Sequence, residues 1–184
     1  MRALALAAAA LEDARADKPA AFEVLMRQYE RLVLRTALRL VGNLEDAQDA
    51  SQEVFLRLYR ALPKLDPQRD CSPWLYRVTV NVCHDVARRR RRAVPVEDVP
   101  EPADSGCDPQ ANSLEAERRR ALMLGLRMLP EKARAALVLR DLEGLSTEEV
   151  ARVLGSSEAT VRSQISKARV KMKEFLEGYF RRRS

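Results

Sequence analysis

Histidine occurs once in this 184-residue chain, cysteine three times and glycine six times, and the aromatics come to four Phe, four Tyr and one Trp. One histidine, no glycine-rich phosphate loop and no carboxylate pair outside ordinary charged faces leave catalysis without its usual groups. The chain therefore reads as no enzyme, with no cofactor and no metal site. Cys71, Cys83 and Cys107 are odd in number and show no CxxC spacing, which speaks against a disulfide framework or a structural zinc and for a reducing, cytoplasmic setting. Cys83 reads as a small packing residue rather than a redox sensor. No apolar run approaches the roughly 20 residues of a membrane span. Residues 3–11, ALALAAAAL, imitate a signal peptide only faintly and read as part of a helical or frayed N-terminal extension, 1–19. Alternation with period two is nearly absent, so the expected fold is all-α.

What the chain has in quantity is alanine, leucine, arginine and charge of both signs, unevenly placed. Residues 1–92 carry 17 Lys/Arg against 12 Asp/Glu, residues 93–111 none against 5, and residues 112–184 carry 16 against 10. Two basic blocks suit a polyanion such as nucleic acid, and the acidic stretch between them does not. That stretch, AVPVEDVPEPADSGCDPQA, holds four prolines and no basic residue and reads as an extended linker. At about 3.3 Å per residue its reach is on the order of 60 Å, enough to set two domains on separate sites of one DNA. The expected layout is a first helical domain at 20–92, the linker at 93–111, a second domain at 112–178 and a basic tail at 179–184.

Helical spacing organises the first domain. Phe22, Leu25, Met26, Tyr29, Val33, Thr36, Ala37 and Leu40 repeat on one face up to Gly42-Asn43, a stop signal. A second helix over Glu45–Leu62 buries Ala47, Ala50, Val54 and Leu58, and Pro63 closes it. Glu53 and Arg57, four apart, read first as a solvated ion pair. After a loop with two prolines, Ser72-Pro73 reads as the cap and first turn of a long helix. Leu75, Val78, Val82 and Val86 face inward, while Arg77, Asn81, His84, Arg88 and Arg91 line up at spacings of four, three, four and three. A polar stripe ending in arginines suits a phosphate backbone.

The second domain holds the most specific signal, STEEVARVLGSSEATVRSQISKAR at 146–169. Ser146 with Glu149 forms a capping-box pattern, Val150, Val153 and Leu154 supply an apolar face, and Gly155 stops the helix. Ser157 caps the next, in which Val161, Ile165, Ala168 and Met172 share a buried stripe. Arg162, Ser163, Ser166 and Lys167 then point outward. Two helices meeting at a tight turn, the second basic, are the helix-turn-helix that sets a recognition helix into the major groove.

Taken together, DAQDASQEVFLRLYRAL (46–62), PWLYRVTVNVCHDVARRRR (73–91) and LPEKARAALVLRDLEGLSTEEVARVLGSSEATVRSQISKAR (129–169) resemble the sigma factors of the extracytoplasmic-function group. These consist of the second and fourth sigma domains and a linker. The resemblance implies a protein that binds core RNA polymerase, directs it to promoter DNA and helps open the duplex. A stand-alone helix-turn-helix regulator is the alternative. By resemblance, Asp49, Gln52, Glu53 and Arg57 contact polymerase. The 73–91 helix reads the minus-ten element, with Asn81 at base or backbone, Arg77, His84, Arg88 and Arg91 on phosphate, and Trp74 and Tyr76 as stacking candidates. Arg162, Ser163, Ser166 and Lys167 read the minus-thirty-five element, where an arginine can pair with guanine. Arg169, Lys171 and Lys173 are phosphate contacts or solvated charge. An anti-sigma factor is the implied regulator. Cys71-Ser72-Pro73 departs from the family, which often has an aromatic in the base-capture loop, so the identity of the captured base stays open.

Overall fold

The computed structural model describes residues 19–66, 70–93 and 113–182, and among these it contains only helices and turns. The linker beyond Ala93 and the N-terminal extension up to Lys18 lie outside the described residues.

The first half is a three-helix unit of α1 (Pro19–Val41), α2 (Leu44–Ala61) and α3 (Ser72–Ala93), with a single 3-10 turn at Leu62–Lys64. Leu25, Val33, Ala37, Val54, Leu58 and Leu75 are fully buried where the three helices meet. The α1–α2 corner forms because Gly42 takes φ +87° and Asn43 caps α2, its Oδ1 accepting the Asp46 N–H at 2.8 Å. The start of α3 differs from the Ser72-Pro73 capping expected from the sequence. Ser72 is already helical, and Asp70 two residues earlier accepts both its N–H (2.9 Å) and its hydroxyl (2.8 Å). A carboxylate binds an orphan N–H at a helix start more strongly than a serine hydroxyl does. The Tyr29 hydroxyl also donates to Asp70, at 3.3 Å.

The second half contains α4 (Ser113–Arg127), α5 (Glu131–Leu137), α6 (Thr147–Leu154) and α7 (Glu158–Arg181). After α5 the chain widens into one π turn, Val138–Leu142. The buried faces of α5, α6 and α7 supply Ala135, Val138, Leu139, Val150, Val161, Ile165 and Ala168. At Gly125 of α4 an added Cβ would run into Met172 and Phe175 of α7, so glycine there lets the two helices approach closely.

The two halves, read from the sequence as two small helical domains joined by an extended linker, lie against one another, and their buried side chains form one continuous cluster. Contact runs from α1 to α4, α5 and the π turn, and from α3 to α6. Gly42 takes part here too: a Cβ at this position would come within 3.0 Å of the Arg127 side chain.

Candidate nucleic-acid interface

The helix-turn-helix rests on capping at each of its ends. Ser146 Oγ accepts the Glu149 N–H at 3.2 Å, and the Glu149 carboxylate accepts the Ser146 N–H at 2.7 Å. The hydrogen bond from the Ser146 backbone, followed by one from the Ser146 side chain, holds the Glu149 carboxyl below its usual range. Gly155 sits in the left-handed region at φ 59°, which allows the Ser156 N–H to reach back to Ala151 O at 3.0 Å. Ser157 then caps α7 through the Thr160 N–H at 3.2 Å.

In α7, Val161, Ile165, Ala168 and Met172 are buried, while Arg162, Ser163, Ser166 and Lys167 are all exposed along the opposite side. Arg162 is drawn toward its own helix by Glu158, at 3.0 Å. This pair is exposed and i,i+4, worth a few tenths of a kcal/mol, so a phosphate or guanine can compete for the guanidinium. Arg169 is different. It forms a two-pronged pair with Asp141 at 2.6 and 2.8 Å, which raises the arginine pKa and ties α7 to the π turn.

On α3 the sequence-derived stripe divides. Arg77, Asn81 and Arg88 are exposed, with Arg88 resting on Asp85 at 2.9 Å. The side chain of Arg91 lies outside the described residues. His84 is half-buried, and its Nε2 is shielded from solvent without a hydrogen-bond partner. Burial lowers its pKa, against the opposing pull of Glu131 and Asp85, while Arg134 and Lys132 add to the lowering. Helical periodicity placed His84 on the outer, polar face; there it is half-buried, with Glu131, Lys132 and Arg134 of the second half close enough to act on its charge. Tyr76 is corrected in the same way. The residue is 7% exposed, too little to stack on a base in this arrangement, and its hydroxyl, pushed up to about 12 by burial and by Glu143, lies 3.3 Å from the Glu143 carboxylate. Trp74 is half-buried against the core and keeps an accessible edge. Cys71 and Cys83 are buried free thiols, raised by desolvation, Cys83 to about 12, and so kept from the reactive thiolate form.

The outer side of α2 exposes Asp49 and Gln52, with Glu53 and Arg57 paired at 2.7 Å. Asp49 and Gln52, with Glu23, Arg27, Glu30 and Glu45, line a groove of about 950 Å³ between α1 and α2, in which Phe22 meets Tyr59 edge to face at 5.2 Å. Leu56 and Tyr59 are 52% and 50% exposed, so an apolar centre lies within a charged rim, the anatomy of a protein-binding patch. Of the residues expected here from the sequence, Asp49 and Gln52 line the groove and Glu53 and Arg57 do not; Leu56, whose exposure breaks no helical period, was missed.

Glu143 also escaped the sequence reading. Its side chain is wholly buried, and its carboxylate receives Arg35 at 2.5 Å and Arg39 at 2.6 Å, both from α1 in the other half. Arg39 donates as well to Leu142 O at 3.2 Å. Arg134 crosses the seam in the opposite direction, donating to Leu40 O at 2.5 Å and to Arg127 O and Leu129 O at 3.2 and 3.1 Å. One signal was present in the sequence. Arg31, Arg35 and Arg39 form an i,i+4 row of like charge with no acid three or four residues away on α1 beyond Arg31, so an anion from elsewhere is called for.

A helical protein with one helix-turn-helix and a second polar, arginine-ended helix belongs among the DNA-binding transcription factors. Family models for sigma-70 region 2 and sigma-70 region 4 match residues 25–93 and 119–172. The chain is 38% identical over 173 residues to the ECF RNA polymerase sigma factor SigE of Mycolicibacterium smegmatis, covering 91% of this chain and 66% of that protein. It is 35% identical to the RNA polymerase sigma-H factor of Pseudomonas aeruginosa, over 91% of both. Among solved structures, CnrH in complex with the cytosolic domain of CnrY superposes with a TM-score of 0.69 at 26% identity, covering 94% of this chain and 98% of that one. The sigma factor RpoE in complex with the anti-sigma factor NepR from Bartonella quintana shares the fold, with a TM-score of 0.66 at 21% identity over 85% and 96% of the two chains. The chain belongs to the sigma-70 family, in its extracytoplasmic-function group, and is an RNA polymerase sigma factor.

Proposed function

We propose that this sigma factor divides its work among three surfaces. The α2 face, with Asp49, Gln52, Glu53 and Arg57 around Leu56 and Tyr59, docks core polymerase. The side of α3 that exposes Arg77, Asn81 and Arg88 takes the minus-ten element as it melts, Asn81 toward bases and the arginines, joined by Arg91, toward phosphates, and Trp74 borders the site of the displaced base. The α7 stripe, Arg162, Ser163, Ser166 and Lys167, reads the minus-thirty-five element in the major groove. Residues 20–92 and 112–178 are the two working domains, joined by 93–111, and the chain transforms no substrate itself. Among the described residues no helix is long and apolar enough to cross a membrane, in keeping with work in the cytoplasm. An anti-sigma factor, of the kind named with the similar structures, regulates it.

The observation that carries this reading is the α7 stripe, four adjacent polar or basic side chains on the exposed side of a doubly capped helix-turn-helix. Run-off transcription with core polymerase and a promoter library tests it. Transcripts that require this chain and share two spaced elements are expected. DNA binding with no transcripts in any condition would instead make it a regulator that works without polymerase.

A further inference from the structure

We propose that the N-terminal extension, residues 1–18, folds back as a helix into the groove between α1 and α2 and covers it in the free protein. That this cover competes with core polymerase rests on the reading of the α2 face as the polymerase-docking surface.

The groove has two unlike ends. α1 and α2 run antiparallel from the Gly42-Asn43 corner, so Phe22 near the start of α1 meets Tyr59 near the end of α2, and with Met26 and Leu56 they make the outer end apolar. Leu56 and Tyr59 are half-exposed there. Toward the corner the lining turns acidic, with Glu30 of α1 and Glu45 and Asp49 of α2, all exposed. Arg27, the only cation among the described lining residues, is held by Glu23 at 2.6 Å. The groove therefore suits an occupant that is apolar along one face and basic at the end that reaches the corner.

The extension has that pattern. Alanine and leucine, both strong helix formers, fill residues 3–11, and Leu4, Ala8 and Leu11 recur at spacings of four and three, so they share one face of a helix. Arg2 lies at its far end. Pro19 opens α1, and the residue before a proline is disfavoured in the helical region, so a helix over 3–16 breaks at Lys18 instead of running on into α1. A reversal at this break lays the segment antiparallel to α1. As helix, residues 3–16 span about 21 Å and the stretch of α1 from Phe22 to Leu34 about 18 Å, so segment and groove match in length. Counting equal steps away from the Lys18-Pro19 turn brings Leu11 level with Met26, Leu4 level with Leu34, and Arg2 to the corner end with Glu45 and Asp49. Attachment favours this occupant further, because a short tether supplies an effective concentration on the order of mM.

The test follows amide hydrogen exchange in the full chain and measures core-polymerase binding alongside. Protection of residues 3–16, and of the groove segments 22–34 and 48–59, is expected in the free protein. Leu4→Glu combined with Leu11→Glu should abolish the first and reduce the second, while exchange across the helix-turn-helix at 146–172 stays as it was. With nine molecules in ten covered, the same variant should bind core polymerase roughly tenfold more tightly, since apparent affinity scales with the uncovered fraction. Arg2→Glu should loosen the cover, and Glu45→Lys in the same chain should restore it. Residues 3–16 exchanging as fast in the parent protein as in the Leu4→Glu, Leu11→Glu variant overturn the fold-back. Protection that appears only as protein concentration rises gives the groove to the extension of a second copy and overturns it too. Protection lost in the variant with no gain in core binding leaves the fold-back standing and overturns the α2 face as the polymerase surface.

Discussion

The helices α3 and α7 carry similar polar stripes and have different surroundings. In α7 every stripe residue is exposed and only the opposite face is packed. In α3 Arg77, Asn81 and Arg88 are exposed, but Nε2 of His84 between them is shielded beside charged groups of the second half, and Tyr76 is drawn into the seam through Glu143. A helix-turn-helix is self-contained, because its two helices and the turn bury each other. The α3 helix lies beside an interdomain seam, so the exposure of its stripe depends on how the halves are arranged. Charged, partly solvated contacts of this kind are typical of domain interfaces that move.

The largest way to probe that difference is through the shared core. Leu139→Ala removes a fully buried side chain from the second half and should cost about 2–5 kcal/mol in chemical denaturation. If the seam couples the halves, the first half should lose stability in the same transition, whereas separate transitions would show each half folding alone. Next in size, Arg162→Ala should weaken discrimination at one position of the minus-thirty-five element by about 1–3 kcal/mol, read by binding competition among promoter variants. Arg88→Ala should instead weaken binding to all promoters alike and lower the salt slope by about one. Ser146→Ala, which leaves the Glu149 N–H without its acceptor, should cost about 1 kcal/mol in thermal unfolding. The smallest effect is one of pH. Because folding depresses the His84 pKa, the unfolded chain binds more protons just below 6.5, so stability falls as pH drops through that value. His84→Gln should flatten the difference in melting temperature between pH 7.5 and pH 5.8, and an undiminished difference would place the titrating group elsewhere.

Much of this architecture could be read from residue spacing. The α1 face from Leu25 to Leu40, the α7 stripe and the capping box at Ser146 all lie where local rules put them, since each depends on residues within a few positions of one another. Legibility ended where the partner was distant in the chain. Asp70 took over the start of α3 from Ser72 because a nearby carboxylate outcompetes a hydroxyl. Arg169, read as phosphate contact or solvated charge, is committed to Asp141, and Leu56 stays exposed at the centre of the α2 patch.

The amino-acid sequence alone determined that this chain is helical, that it carries a helix-turn-helix with an outward basic stripe, and that its chemistry is recognition, because period, capping and charge act over one or two turns of chain. Only the tertiary structure decided that Arg35 and Arg39 meet a buried Glu143, and that the same stripe is open on one helix and partly closed on the other. A carboxylate needs its cations within about 4 Å in space, and no spacing along the chain encodes that distance once a whole domain lies between them.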